Sequence, residues 1–101
     1  MSNRTKLHNL LVEILESDNV YFQPPETVKL NYPAIIYGLD DIHSTYANGG
    51  VYTLNKRYMI TLVDKDPDSD FVEKISRIPT CRLSRIYKAD NLNHFTFSII
   101  Y

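Results

Sequence analysis

The chain has no tryptophan, a single cysteine and only three glycines among its 101 residues. Each shortage excludes something. With Cys81 alone there is no intrachain disulfide, so the fold must rest on a hydrophobic core, as expected of a protein folding in a reducing cytoplasm. The few glycines build no phosphate-cradling loop. Basic residues are not in excess: 11 Lys and Arg face 12 Asp and Glu, whereas general nucleic-acid or anionic-membrane binders carry a positive balance. No apolar run reaches membrane-spanning length, and no apolar stretch follows a basic N-terminal segment, so we expect a soluble product with no membrane partner.

What is present suits one small domain over residues 1–101. A hydrophobic content of 44% supports a globular core, and the length leaves no room for a second one. Eight tyrosines bring large apolar faces with polar tips, which serve sheets and interfaces alike.

Leu7, Leu10, Leu11, Ile14 and Leu15 follow helical spacing and predict an amphipathic helix over residues 4–17, with Ser2, Asn3 or Thr5 as its cap. Val20-Tyr21-Phe22 reads as a short strand, cut off by Pro24-Pro25. Ala34 to Tyr37 is apolar on both parities, as in a strand covered on two faces. Ile42 to Tyr46 extends it, and Ala47-Asn48-Gly49-Gly50 supplies hairpin-turn chemistry. From Val51 to Val63 the residues alternate, with Tyr52, Leu54, Tyr58, Ile60 and Leu62 on one face. Lys56 interrupts that face, so the distal part of a long hairpin around residues 42–63 is expected to leave the core.

After the turn Asp64-Lys-Asp-Pro-Asp-Ser-Asp70 comes a second short helix, Phe71 to Ile78, for which Asp70 and Glu73 have capping-box spacing. Cys81 to Tyr87 and His94 to Tyr101 complete the pattern as strands, joined by a turn over residues 89–93. The fold class expected is α+β, with a mainly antiparallel sheet, an N-terminal amphipathic helix and a second short helix before the last strands.

Chemistry is sparse. Asp64, Asp66, Asp68 and Asp70 alternate as in a calcium loop, but such a loop needs Gly at position six and Glu at position twelve. From Asp64 these positions hold Ser69 and Ile75; from Asp66 they hold Phe71 and Arg77. The turn therefore reads as helix capping and as an assembly surface. His8, His43 and His94 have no spacing that converges on a metal and are expected at surfaces or edges. Cys81 with His94 across neighbouring strands is conceivable as a nucleophile and base, without visible activation. No catalytic residue, metal or cofactor is expected. Lys56, Arg57, Arg82, Arg85 and Lys88 are solvated charges, phosphate contacts, or partners for an acidic surface on another copy.

The succession Tyr32-Pro33-Ala34-Ile35-Ile36-Tyr37, Lys56-Arg57-Tyr58, Asp66-Pro67-Asp68-Ser69 and Asp90-Asn91-Leu92-Asn93-His94 resembles the small tail-terminator (tail-completion) proteins of long-tailed bacteriophages. The resemblance spans roughly residues 5–101 and implies a non-enzymatic virion protein of the tail and neck, assembled in the host bacterial cytoplasm. It implies a homo-hexameric ring that caps the tail tube, ends tube polymerisation and forms the joint to the head-completion or connector protein, with DNA passing through without sequence-specific binding. A head-to-tail ring needs two unlike complementary patches on each copy. Asp64, Asp66 and Asp68 against Arg82 and Arg85 are the subunit-interface candidates. The hairpin tip, with Tyr46, Asn48, Gly49 and Tyr52, is the partner-docking candidate. Alternatives are another neck protein (a largely β stopper or a largely helical adaptor), a small metal-dependent hydrolase or nuclease using the acidic turn, or a host adaptor with one protein partner.

Overall fold

The computed structural model describes residues 2–24, 29–47 and 50–101, with 43–47 and 51–54 described through their backbone only. Two helices and five strands follow in the order α1 (Asn3–Leu15), β1 (Val20–Phe22), β2 (Ala34–Ala47), β3 (Gly50–Asp64), α2 (Asp70–Ser76), β4 (Arg82–Ala89) and β5 (Leu92–Ile100). The strands form one sheet in the order β1-β2-β3-β5-β4. Only β1 against β2 is parallel; the other pairings are antiparallel. The fold is the α+β arrangement expected from the sequence.

α1 is shorter than its periodicity predicts. Ser2 caps it, its Oγ accepting from the Thr5 N–H at 3.2 Å. The helix stops at Leu15 because Glu16 turns left-handed (φ 55°), and the Ser17 Oγ then accepts from the Asn19 N–H. Leu7, Leu11 and Leu15 are buried, while Leu10 and Ile14 pack at the margin of the same core.

Both helices cover one face of the sheet. Cross-strand partners share a face, so the pairings Ile35–Leu62–Phe95 and Tyr37–Ile60–Phe97 lay continuous apolar rows beneath the helices. Ile75 of α2 and Ile78 just beyond it close the core from above. The opposite face of the sheet carries no helix among the described residues. Pro24 and Leu30 there border a cleft of about 570 Å³ with Ile36, Gly38, Met59 and Thr61.

The second helix corrects a capping assignment. Ser69, not Asp70, is the N-cap, and its Oγ accepts from the Phe71 N–H. Asp70 is already helical, and Glu73 does not reach back to the cap but pairs with Arg77 one turn on. Asp70 and Glu73 still place negative charge in the first turn, where the helix dipole favours it.

The hairpin of β2 and β3 outgrows the rest of the sheet. Pairing of β1 with β2 ends at Tyr37, and pairing of β5 with β3 ends at Arg57. Beyond those points the two strands run on alone as an arm, and the molecule measures 51 × 23 × 22 Å. Its radius of gyration is 14.8 Å, against about 13 Å for a compact chain of this length.

Candidate functional site

The acidic turn is knotted to its own backbone. Asp64 is buried, and its Oδ1 accepts from the Asp66 N–H at 3.1 Å; the Asp66 Oδ1 accepts in turn from the Asp68 N–H at 2.9 Å. These are successive Asx-turns, in which a short acidic side chain stands in for a backbone acceptor. The Asn93 side-chain amide donates to the carbonyls of Asp64 and Lys65, tying the turn to β5. Of the three acids expected at an interface, Asp66 and Asp68 are exposed, whereas Asp64 lies inside the monomer. No group of three or more metal-ligating side chains occurs among the described residues.

The histidines divide. His8 corrects the expectation of a surface residue: it is half-buried between α1 and the sheet, its Nδ1 in hydrogen-bond contact with the Tyr37 hydroxyl at 2.7 Å. Tyr37 is buried among Phe22, Tyr58 and His8, with the Arg4 guanidinium 4.4 Å above the Phe22 ring. Burial raises the Tyr37 pKa above the usual phenol value, and the nearby Arg4 charge works against that rise. The cluster is a satisfied joint between helix and sheet. His94 stacks on Tyr87 (centroids 4.7 Å apart, planes at 11°). Because His94 pairs with Tyr87, six residues along from Cys81 with one of them taken up by a register shift, the thiol and imidazole are separated by roughly 17 Å at strand rise. The conceivable Cys81–His94 couple is therefore not assembled. Cys81 itself is half-buried, and desolvation pushes its pKa up to about 11, away from reactive thiolate.

The basic residues separate as well. Arg57 is spent within the monomer, its Nε 2.9 Å from Asp40 and its terminal nitrogen 3.8 Å from Asp41. Arg82, Arg85 and Lys88 lie on β4, make no ion pair among the described residues, and share their strand with no acid. All eight residues of β4 are exposed. One side of the strand is bonded to β5; the other is a free edge.

A register shift between Leu83 and Arg85 decides which way β4 points. A bulge inserts one residue and resets the alternation. Leu83 and Ile86, opposite Phe97 and Phe95, therefore both lie on the helix-side face, and Arg82, Arg85 and Tyr87, opposite Ser98, Thr96 and His94, lie on the other. The helices do not reach β4, so Leu83 and Ile86 stay 42% and 59% exposed. On the far face the Arg85 guanidinium sits 4.7 Å over the Tyr87 ring, extending the Tyr87–His94 stack.

The sequence reading picked out Arg82 and Arg85 but missed Leu83 and Ile86 as surface residues, because strict alternation puts these two on opposite faces. Of the hairpin-tip candidates, Asn48 and Gly49 lie outside the described residues. Tyr46 and Tyr52 are strand positions near the end of the arm, known here by backbone alone. The sequence matches no protein-family model and no curated protein sequence.

Proposed function

We propose that this protein is a structural assembly protein of the tail-terminator type, which caps a phage tail tube as a ring, ends tube polymerisation and forms the joint to the head connector. It acts by self-association and surface complementarity rather than catalysis. The observation that carries this reading is the pair of unlike, unsatisfied surfaces on one small fold: the open, cationic, partly apolar edge of β4 and the protruding arm of β2 and β3. A ring closed by head-to-tail contacts requires two different patches on every copy. A strand edge with exposed Leu83 and Ile86 is poorly suited to a protein that works alone. The arm supplies reach toward a neighbour, the tube or the connector.

The test is the solution mass by light scattering, with and without purified tail-tube protein. A hexamer, or a monomer that becomes a ring only on tubes, supports the reading. A monomer indifferent to tubes rejects it in favour of another neck role or a single-partner adaptor. Arg82→Glu and Arg85→Glu are expected to weaken the ring while leaving the circular dichroism and melting of the monomer unchanged, since both side chains are solvated. Unaltered assembly in both variants would remove charge complementarity from the account.

A further inference from the structure

We infer that the free edge of β4 is completed by the free edge of β2 from a second copy, so that the sheet continues from one subunit into the next. The inference rests on the ring reading and names the partner of the β4 edge. Among the described residues the sheet has two long unpaired edges on opposite sides, besides the β5-facing side of β3 beyond Arg57. One is β4, Arg82–Ala89. The other is the outer side of β2 from Leu39 to Ala47, beyond the point where β1 stops pairing at Tyr37. Unpaired strand edges are templates for further pairing.

Strand direction fits. β4 runs with β3 and against β2. A neighbouring copy turned about an axis inclined to the strands, as in a barrel whose strands are staggered, presents β2 antiparallel to β4, shifted by the seven residues that separate Ile35, level with Ile86, from Ile42. Such a contact is heterologous and can close a ring.

The side chains fit as well. Each edge carries an exposed Leu and Ile three residues apart, and in each a register shift between them puts both on the helix-side face. On β2 these are Leu39 and Ile42, 39% and 48% exposed; on β4 they are Leu83 and Ile86. Charges are opposite: Asp40 and Asp41 on β2, and Arg82, Arg85 and Lys88 on β4. The exposed ion pairs of Arg57 with Asp40 and Asp41 are weak competitors, since solvated pairs contribute little. Laid antiparallel with Ile42 opposite Ile86, the edges set Asp41 beside Tyr87 and, across the register shift at Asp40, bring Leu39 and Asp40 to Lys88.

Pairing of β4 with another β4 is disfavoured by the same charges. Centred on Arg85, it would set Arg85 against Arg85 on one face of the sheet, and like charges directly opposite destabilise a sheet. The cations thus blunt the edge toward its own kind and leave it open to an acidic one.

The experiment is disulfide trapping in a Cys81→Ser background, on protein assembled with tail-tube protein and followed in parallel by light scattering. A chain carrying both Ile42→Cys and Ile86→Cys is expected to give covalent oligomers larger than dimers on non-reducing gels. Chains carrying either substitution alone are expected to stay monomeric. Dimers from Ile86→Cys alone would mean β4 self-pairing and overturn the inference. A ring by light scattering with no 42–86 ladder would overturn it while leaving the ring reading intact, and no association at all would reject both. As a measurement without engineered cysteines, Lys88→Glu combined with Arg85→Glu is expected to reduce association of the native-cysteine chain at least tenfold. Loss of assembly in Asp66→Lys/Asp68→Lys, together with no ladder, would assign β4's partner to the acidic turn instead.

Discussion

At the scale of single residues, several side chains that look chemically promising are absorbed by local structure. The carboxylates of Asp64 and Asp66 and the hydroxyl of Ser69 accept backbone N–H groups in the turn that starts α2. Removing the cap by Ser69→Ala should lower stability by about 1 kcal/mol, a typical cost for a lost N-cap, and urea unfolding measures it. Asp70→Ala should cost less, because Asp70 acts only through the helix dipole. A clear excess for Asp70 would restore the capping box that the geometry denies. Cys81 offers a second test. Its folded pKa is raised to about 11 by burial, so the unfolded chain gives up the thiol proton first as pH rises. The stability associated with the protonated thiol is therefore complete below about pH 9 and declines toward pH 11. Chemical denaturation across that range should show a decline that Cys81→Ser reduces. Iodoacetamide at pH 8 should label the folded protein more slowly than the unfolded chain, since thiolate is the reactive form.

Among the elements, the tight turn between β4 and β5 and the β2–β3 arm carry separate expectations. Asp90 and Asn91 both adopt positive φ, 53° and 61°, the conformation of a two-residue primed turn that prefers Asn-Gly. Replacing Asn91 with Gly relieves a side chain held in the left-handed region and should raise stability by up to about 1 kcal/mol. A fall in the urea midpoint would mean that the Asn91 side chain holds the turn in some other way. The arm stands outside the helix-covered core. Shortening residues 45–50 should therefore leave the melting temperature nearly unchanged while impairing the joining of heads to tails. Normal joining with a shortened arm would remove its docking role. The bulge in β4 is the element-level device with the largest effect on surface chemistry, since it brings Leu83 and Ile86 to one face and Arg82 and Arg85 to the other.

For the whole molecule, the informative feature is how little of the sheet's perimeter is closed. α1 and α2 cover the centre of one face, over β2, β3 and β5, and leave β4 bare. β1 pairs with only three residues of β2. A monomer of this size has little core to spare, yet Leu39, Ile42, Met59, Leu83, Ile86 and Ile100 remain exposed. Covering Leu39, Ile42, Leu83 and Ile86 in a ring would add apolar burial that the isolated subunit lacks, so assembled protein should melt higher than dilute monomer. Scanning calorimetry over a range of concentrations measures this, because binding to the folded state raises its apparent stability by mass action. A melting temperature independent of concentration and of added tubes would count against self-association.

The sequence by itself determined the local elements. The leucine stripe of α1, the alternation of Tyr58, Ile60 and Leu62, and that of Phe95, Phe97 and Ile99 each state a period, and a period is a local property. The acidic turn was legible as capping, though not which residue would cap. What only the tertiary structure decided was which faces find a cover. Leu83 and Ile86 are as apolar as any core pair, but they sit where neither helix reaches, and the bulge that aligns them depends on pairing with β5. His8 looks like a solvated side chain until packing of α1 brings it against Tyr37. Arg57 looks free until the shift at Asp40 brings two carboxylates to it. Burial, pairing and register are relations between distant segments, and a single strand's pattern does not contain them.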